Sequence, residues 1–193
     1  PYVYFPLHYQ PEMTTCPLAK AFVDQQLIIS LLEYYLPKNV CIYVKEHPNQ
    51  TSVGRSFDFY SIANSRVVFI KSTENSLELV DHSLAVATCT GTAGIEALMR
   101  GKPVLMFANF YYTYAPGAFR VKSRQDMIQG VNYILHEFKF DEHKLLAFLQ
   151  FLYEYSYNLF VDPLYSTQLG ITNEHNNSEL YKVIKERVFD KYY

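Results

Sequence analysis

Apolar residues along the chain fall into two rhythms. Through the first two thirds, short β-rich runs alternate with segments of helical spacing; from residue 123 onward only the helical rhythm remains. The short runs predict strands at 2–5, 41–45, 67–70, 84–87 and 103–107. Between the first two, Phe22, Val23, Leu27, Ile28, Leu31, Leu32 and Tyr35 keep close to a 3.6-residue repeat, which predicts a helix over 22–36 that Pro37 ends. Shorter helices are predicted at 57–63, 76–82 and 93–100. Strand and helix in alternation build βαβ units and a mostly parallel sheet, so the chain reads as α/β with a Rossmann-like open sheet.

The later part predicts helices at 123–138 and 141–157, with Ser123 and Asp141 placed as N-caps, and at 178–192. Pro163, Gly170 and the polar run over 172–177 predict a loop at 162–177. The expected organisation is a nucleotide-sugar-binding core at 1–122, with the helices of 123–193 packed on it in the same domain. Because Pro1-Tyr2-Val3-Tyr4-Phe5 already reads as a strand, an earlier domain is expected to belong to the full protein.

Composition narrows the function. Hydrophobic residues at 49% and charged residues at 19% give enough apolar surface for a core, so disorder is not expected. A net charge of −2 provides no general basic footprint for DNA or RNA. Cys16, Cys41 and Cys89 are odd in number, far apart and outside any CxxC or Cys/His spacing, which argues against a disulfide framework or zinc site and for a reducing cytoplasm. No run of apolar residues is long enough to span a bilayer and no leader pattern precedes the first strand, so any work at the inner face of the cell membrane is expected to be peripheral. Tyrosine and phenylalanine cluster at Tyr111-Tyr112 and Tyr153-Tyr155-Tyr157, either filling core and interfaces or facing a second domain, a sugar or a membrane.

Three polar stretches follow predicted strands, where open parallel sheets bind ligands. In 87–98, small residues including Thr90, Gly91, Thr92 and Gly94 lead into a helix whose first N–H groups have no intrahelical partner, a ready anion site. Hydroxyls of Thr90 and Thr92 would add donors, while Gly91 and Gly94 would let the backbone approach a phosphate. The plainer reading is an ordinary helix capped by threonine. Glu96 is placed to accept from a ribose diol, or else to complement the helix dipole.

In Lys45-Glu46-His47-Pro48, the imidazole sits just past a strand whose exit Pro48 fixes; it could donate to phosphate or transfer a proton, and Lys45 could neutralise phosphate charge. In the third stretch, His8, Gln10 and Glu12 alternate with Leu7, Tyr9 and Pro11, and would point one way if the segment stays extended. Those three are the candidates for sugar reading or acid/base catalysis. A satisfied loop histidine and a Pro-punctuated surface loop are the plain alternatives.

GxGxxG after the first strand, GxxxxGK[ST] and GxSxG are absent, as is a DxD-like metal clamp. A metal-independent reaction without a bound cofactor is therefore expected.

Taken together, Pro6-Leu7-His8-Tyr9-Gln10-Pro11-Glu12, Val44-Lys45-Glu46-His47-Pro48, the stretch from Thr90 to Leu98 and Gly101-Lys102-Pro103-Val104 resemble the capsule polysaccharide biosynthesis family. That family is similar to the bacterial β-Kdo transferases. The resemblance spans 2–107 and implies one half of a GT-B fold, the C-terminal domain that grips the donor nucleotide. It implies further that His47 holds the phosphate of a CMP-type leaving group, that Thr90 and Thr92 cradle it and that Glu96 binds the ribose. Thr90-Gly91-Thr92 stands where the family often has a Ser-Thr pair. The implied partners are a nucleotide-sugar donor such as CMP-Kdo, a glycan or glycolipid acceptor, and an N-terminal domain holding that acceptor. UDP- or GDP-sugar transfer, CDP-glycerol-type phosphotransfer, nucleotide-sugar epimerisation and a noncatalytic interaction module of an assembly complex are the competing readings.

Overall fold

The computed structural model describes residues 1–12, 15–55, 59–157, 159–160, 170 and 172–190. Six strands form one parallel sheet: β1 (Tyr2–Pro6), β2 (Cys41–Lys45), β3 (Val67–Ile70), β4 (Ala85–Thr88), β5 (Val104–Met106) and β6 (Ala118–Arg120). Their order is β3-β2-β1-β4-β5-β6. The chain winds outward from β1 in one direction, returns past it and winds outward in the other, so the point of reversal lies between β1 and β4. The short β6 has no counterpart among the predicted strands.

The helices are α1 (Gln25–Tyr35), α2 (Gln50–Val53), α3 (Ser76–His82), α4 (Thr92–Met99), α5 (Arg124–Asn132), α6 (Glu142–Glu154) and α7 (Asn173–Ile184). The first starts later than its apolar repeat because the Asp24 carboxylate accepts from the Gln26 N–H (3.0 Å) and marks the cap, leaving Lys20–Val23 as a separate 3-10 turn. Where a helix was expected at 57–63, a 3-10 turn occupies Phe59–Ile62; residues 57 and 58 lie outside the described ones. Ser123 does cap α5, accepting from Asp126 N–H. The last helix starts at Asn173, not 178, since the Thr172 hydroxyl caps it through His175 N–H and draws the polar run into the first turn. The rest of the loop expected at 162–177 falls almost wholly outside the described residues.

Alternation along the strands separates two faces. Val3, Phe5, Ile42, Val44, Ala85, Ala87 and Leu105 pack with Ile28, Ile29 and Leu32 of α1 and with Met127 and Val131 of α5. Tyr2, Tyr4 and Lys45 turn the other way, toward α3: the Tyr2 hydroxyl donates to Leu79 O (2.8 Å), and Tyr4 and Lys45 both reach Ser76 Oγ. After α4, Gly101 takes a positive φ of 69°. Its N–H bonds Leu98 O while Lys102 N–H bonds Ala97 O, the helix stop that returns the chain into β5.

Two compact units divide the chain, Pro1–Phe148 and Leu149–Tyr193. The boundary falls well after residue 123, because α5 buries Met127 and Val131 in the core of the first unit.

Candidate functional site

All three polar stretches leave the sheet at its carboxyl edge, after β1, β2 and β4, on adjacent strands. His8 joins two of them. Its Nε2 accepts from Cys89 N–H at 3.0 Å and lies 3.1 Å from Thr88 Oγ1. An Nε2 that accepts from an amide carries no proton, so the Thr88 hydroxyl donates to it as well, and the ring proton sits on Nδ1. Thr88 Oγ1 in turn accepts from Gly91 N–H (3.1 Å). Burial, aided by the nearby charges of His47 and Arg55, lowers the His8 pKa to about 4. His8 is thus neutral near pH 7, with its lone-pair nitrogen already engaged by the Cys89 N–H.

The other two candidates for sugar reading or acid/base work do not line up with it. Alignment required an extended segment, but the strand ends at Pro6 and the chain bends at Gln10 and Pro11. Gln10 is built into the loop: its Nε2 donates to Val23 O (2.7 Å), its Oε1 accepts from Arg55 and its N–H reaches Gln50 Oε1 (2.8 Å). Glu12 is exposed, and its carbonyl closes a turn with Thr15 and Cys16 N–H.

Lys45 is the last residue of β2. It is buried with its Nζ 2.7 Å from Ser76 Oγ, and burial lowers its pKa against the opposing pull of Glu74. His47 does stand at the exit of β2, where Nδ1 accepts from Asn49 N–H (3.2 Å), leaving the proton on Nε2; its ring lies 5.8 Å from that of Tyr9. Pro48 follows it and leads into α2.

The bend after β4 carries α4. Gly91, not a threonine, occupies the N-cap position, and no side chain caps this helix. Thr90 is buried, whereas Thr92, the first helical residue, is exposed. Gly94 N–H closes onto Gly91 O (3.0 Å). Gly94 does not face a ligand: a Cβ there would stand 2.8 Å from two ring carbons of the fully buried Tyr112, whose hydroxyl donates to Gly91 O. Gly91 is the glycine on the crevice side, where a Cβ would meet His8 Cε1 at 2.9 Å. Glu96 lies in the second turn of α4, beyond the reach of a first-turn acid, near enough to Tyr111 to raise that phenol's pKa together with burial. Buried Cys89 has its thiol pushed up to about 12 by desolvation and stays protonated.

Residues that escaped the sequence reading brace the edge. Gln25 Oε1 accepts from His8 N–H (2.7 Å) and its Nε2 donates to His8 O (3.2 Å), as a neighbouring strand would. Arg55 forms a two-pronged pair with Glu46, 2.7 Å at each prong, and also donates to His8 O (2.5 Å) and Gln10 Oε1 (2.9 Å). A cavity of about 690 Å³ opens beside this brace, lined by Gln10, Gln25, Gln26, Gln50 and Arg55 among others. No local pattern announces these roles, because they arise from pairing across 9 to 47 residues.

Comparison with known proteins places this edge in context. The family model described as capsule polysaccharide biosynthesis protein matches residues 19–118, just over half of the chain. The chain belongs to the capsule polysaccharide biosynthesis family. Its matched span runs from the start of α1's approach through β2, β3, β4 and α4 to β6, and so holds His47 and the α4 bend. Among solved structures, the UDP-GlcNAc 2-epimerase of Methanocaldococcus jannaschii is 15% identical with a TM-score of 0.55, covering 79% of this chain and 45% of its own. KpsC of Thermosulfurimonas dismutans, a β-Kdo 2,4 transferase, is 22% identical with a TM-score of 0.49, covering 67% of this chain and 43% of its own. The chain spans less than half the length of either. The epimerase likeness shows the fold, the Rossmann-like sheet of one GT-B half. No curated protein matches the chain.

Among the described residues, no three His, Cys, Asp or Glu side chains gather where they could hold a metal ion, and no helix is long and apolar enough to cross a membrane.

Proposed function

We propose that this capsule-family chain is the donor-binding half of a glycosyltransferase that builds bacterial surface polysaccharide, using a CMP-activated sugar acid such as CMP-Kdo. The observation that carries the reading is the uncapped start of α4 at the point where the sheet reverses direction. The N–H groups of Thr92 and Ala93 have no partner among the described residues, so they and the exposed Thr92 hydroxyl are free for an anion. Glu96, four residues past Thr92, sits one turn along the same side, suited to a ribose diol. His47, across β1 on the same edge, presents Nε2–H as a further phosphate donor.

In this reading, the half stabilises negative charge on the departing nucleotide with fixed dipoles and forms no covalent bond. The cavity beside Arg55 gives room for the sugar. The acceptor and the group that activates it belong to an N-terminal domain, and the enzyme works in the cytoplasm, peripherally at the membrane's inner face, without a metal.

Calorimetric titration with CMP, CDP, UDP and GDP tests this. Preference for CMP is expected, with His47→Ala and Thr92→Ala each weakening it about tenfold at an unchanged melting temperature. Preference for UDP or GDP would transfer the assignment to those donors, preference for CDP to glycerol-phosphate transfer, and absence of binding to a noncatalytic module.

A further inference from the structure

The His8 ring is fixed in one orientation. Its Nε2 is committed to two donors from β4, Cys89 N–H and the Thr88 hydroxyl, which forces the proton onto Nδ1. Nδ1 has no partner among the described residues. Nor is it sealed in: among the described residues, the only side-chain nitrogen or oxygen that is both shut off from solvent and unpartnered is Gln26 Nε2. The free edge of the ring flanks Gly91, the N-cap of α4, where a Cβ would lie 2.9 Å from Cε1 and 3.6 Å from Nδ1. The ring edge that carries Nδ1 therefore lies against the N-cap from which α4 and the unpartnered N–H groups of Thr92 and Ala93 begin.

We infer that His8 is a neutral hydrogen-bond donor to the phosphate of the bound nucleotide, its Nδ1–H completing the anion cradle begun by the first turn of α4. This rests on the nucleotide-binding reading above and adds to it a residue with a defined tautomer. Protonating Nε2 would expel the Cys89 and Thr88 donors, so the site keeps a directed N–H without a charge that could pass to the leaving group. Burial and the neighbouring charges of His47 and Arg55 act in the same sense. A neutral donor also differs from the cation that would hold phosphate by charge alone, since its contribution depends on direction and survives salt.

The test is long-range proton–nitrogen NMR on the full chain labelled in its histidines. His8 is expected in the Nδ1–H tautomer from pH 8 to pH 5, with the Nδ1–H resonance shifting on addition of CMP and the tautomer unchanged. Backbone amides of Thr92 and Ala93 are followed in the same titration. A proton on Nε2, or a still His8 resonance while those amides move, overturns the inference and leaves nucleotide binding standing. If neither His8 nor the amides respond to CMP, the nucleotide reading falls and this inference falls with it.

Discussion

His8 and Cys89 lie eighty-one residues apart and meet through one hydrogen bond, Cys89 N–H to His8 Nε2 at 3.0 Å. The bond ties the exit of β1 to that of β4 where the sheet changes direction, and it requires an unprotonated Nε2. The His8 pKa of about 4 in the folded chain lies below its ordinary 6.5, so between those values the unfolded chain binds more protons. Stability contributed by His8 is complete above pH 6.5 and is lost as pH falls toward 4, at up to about 1.4 kcal/mol per unit and about 3 kcal/mol in all. Denaturant unfolding at pH 7.5 and 5.0, for the wild type and His8→Gln, isolates this share. Equal acid losses in the two proteins would refute it.

Gly94→Ala should destabilise the first unit by about 1–3 kcal/mol, because the new methyl would press into the Tyr112 ring, which is fully buried and anchored to Gly91 O. The sign is decisive. At an ordinary interior helix position the same change would stabilise by about 1 kcal/mol. A melting temperature that rises in the variant would show that the ring can move aside.

Arg55→Ala should cost about 3–5 kcal/mol, since it strands the Glu46 carboxylate in a nearly buried site, takes one of two donors from His8 O and frees Gln10 Oε1. Arg55→Met combined with Glu46→Gln should recover part of that loss, as no charge is then left unpaired. Chemical unfolding of the two variants decides whether the pair acts as a brace; equal losses would place the cost in the bonds to His8 O and Gln10 Oε1 and not in a stranded carboxylate.

Much of this architecture was legible in the apolar rhythm. Strands β2 and β3 fall where the runs 41–45 and 67–70 put them, because β-branched and aromatic residues crowd those segments. In β4, Thr88 joins the ladder in place of Leu84, although Leu84 N–H still bonds Tyr2 O. Ala118–Arg120 is three residues long, too short to carry a period, and only pairing with β5 makes it a strand. At the site, the stretches themselves could be read, and so could their shared edge, since each follows a strand. Which side chains face the crevice could not. Gln10 and Lys45 look as available as His47 in the sequence, and their burial depends on Val23, Arg55 and Ser76, which local spacing does not reveal.

Adjacent glutamines at the start of α1 make opposite predictions. The Gln25 amide serves both backbone groups of His8; Gln25→Leu would leave the buried His8 N–H without a partner while His8 O keeps Arg55, a loss of about 1–3 kcal/mol. Gln26 Nε2 is shut off from solvent and bonded to nothing among the described residues. Gln26→Leu removes that unsatisfied donor and keeps a good helix former, so a gain of about 1 kcal/mol is expected, or about 2–4 °C in the melting temperature. Thermal unfolding of the two single variants should therefore bracket the wild type. If Gln26→Leu also melts lower, the Gln26 amide has a partner in solution, and the cavity it lines beside Gln10 and Arg55 is where to look for it.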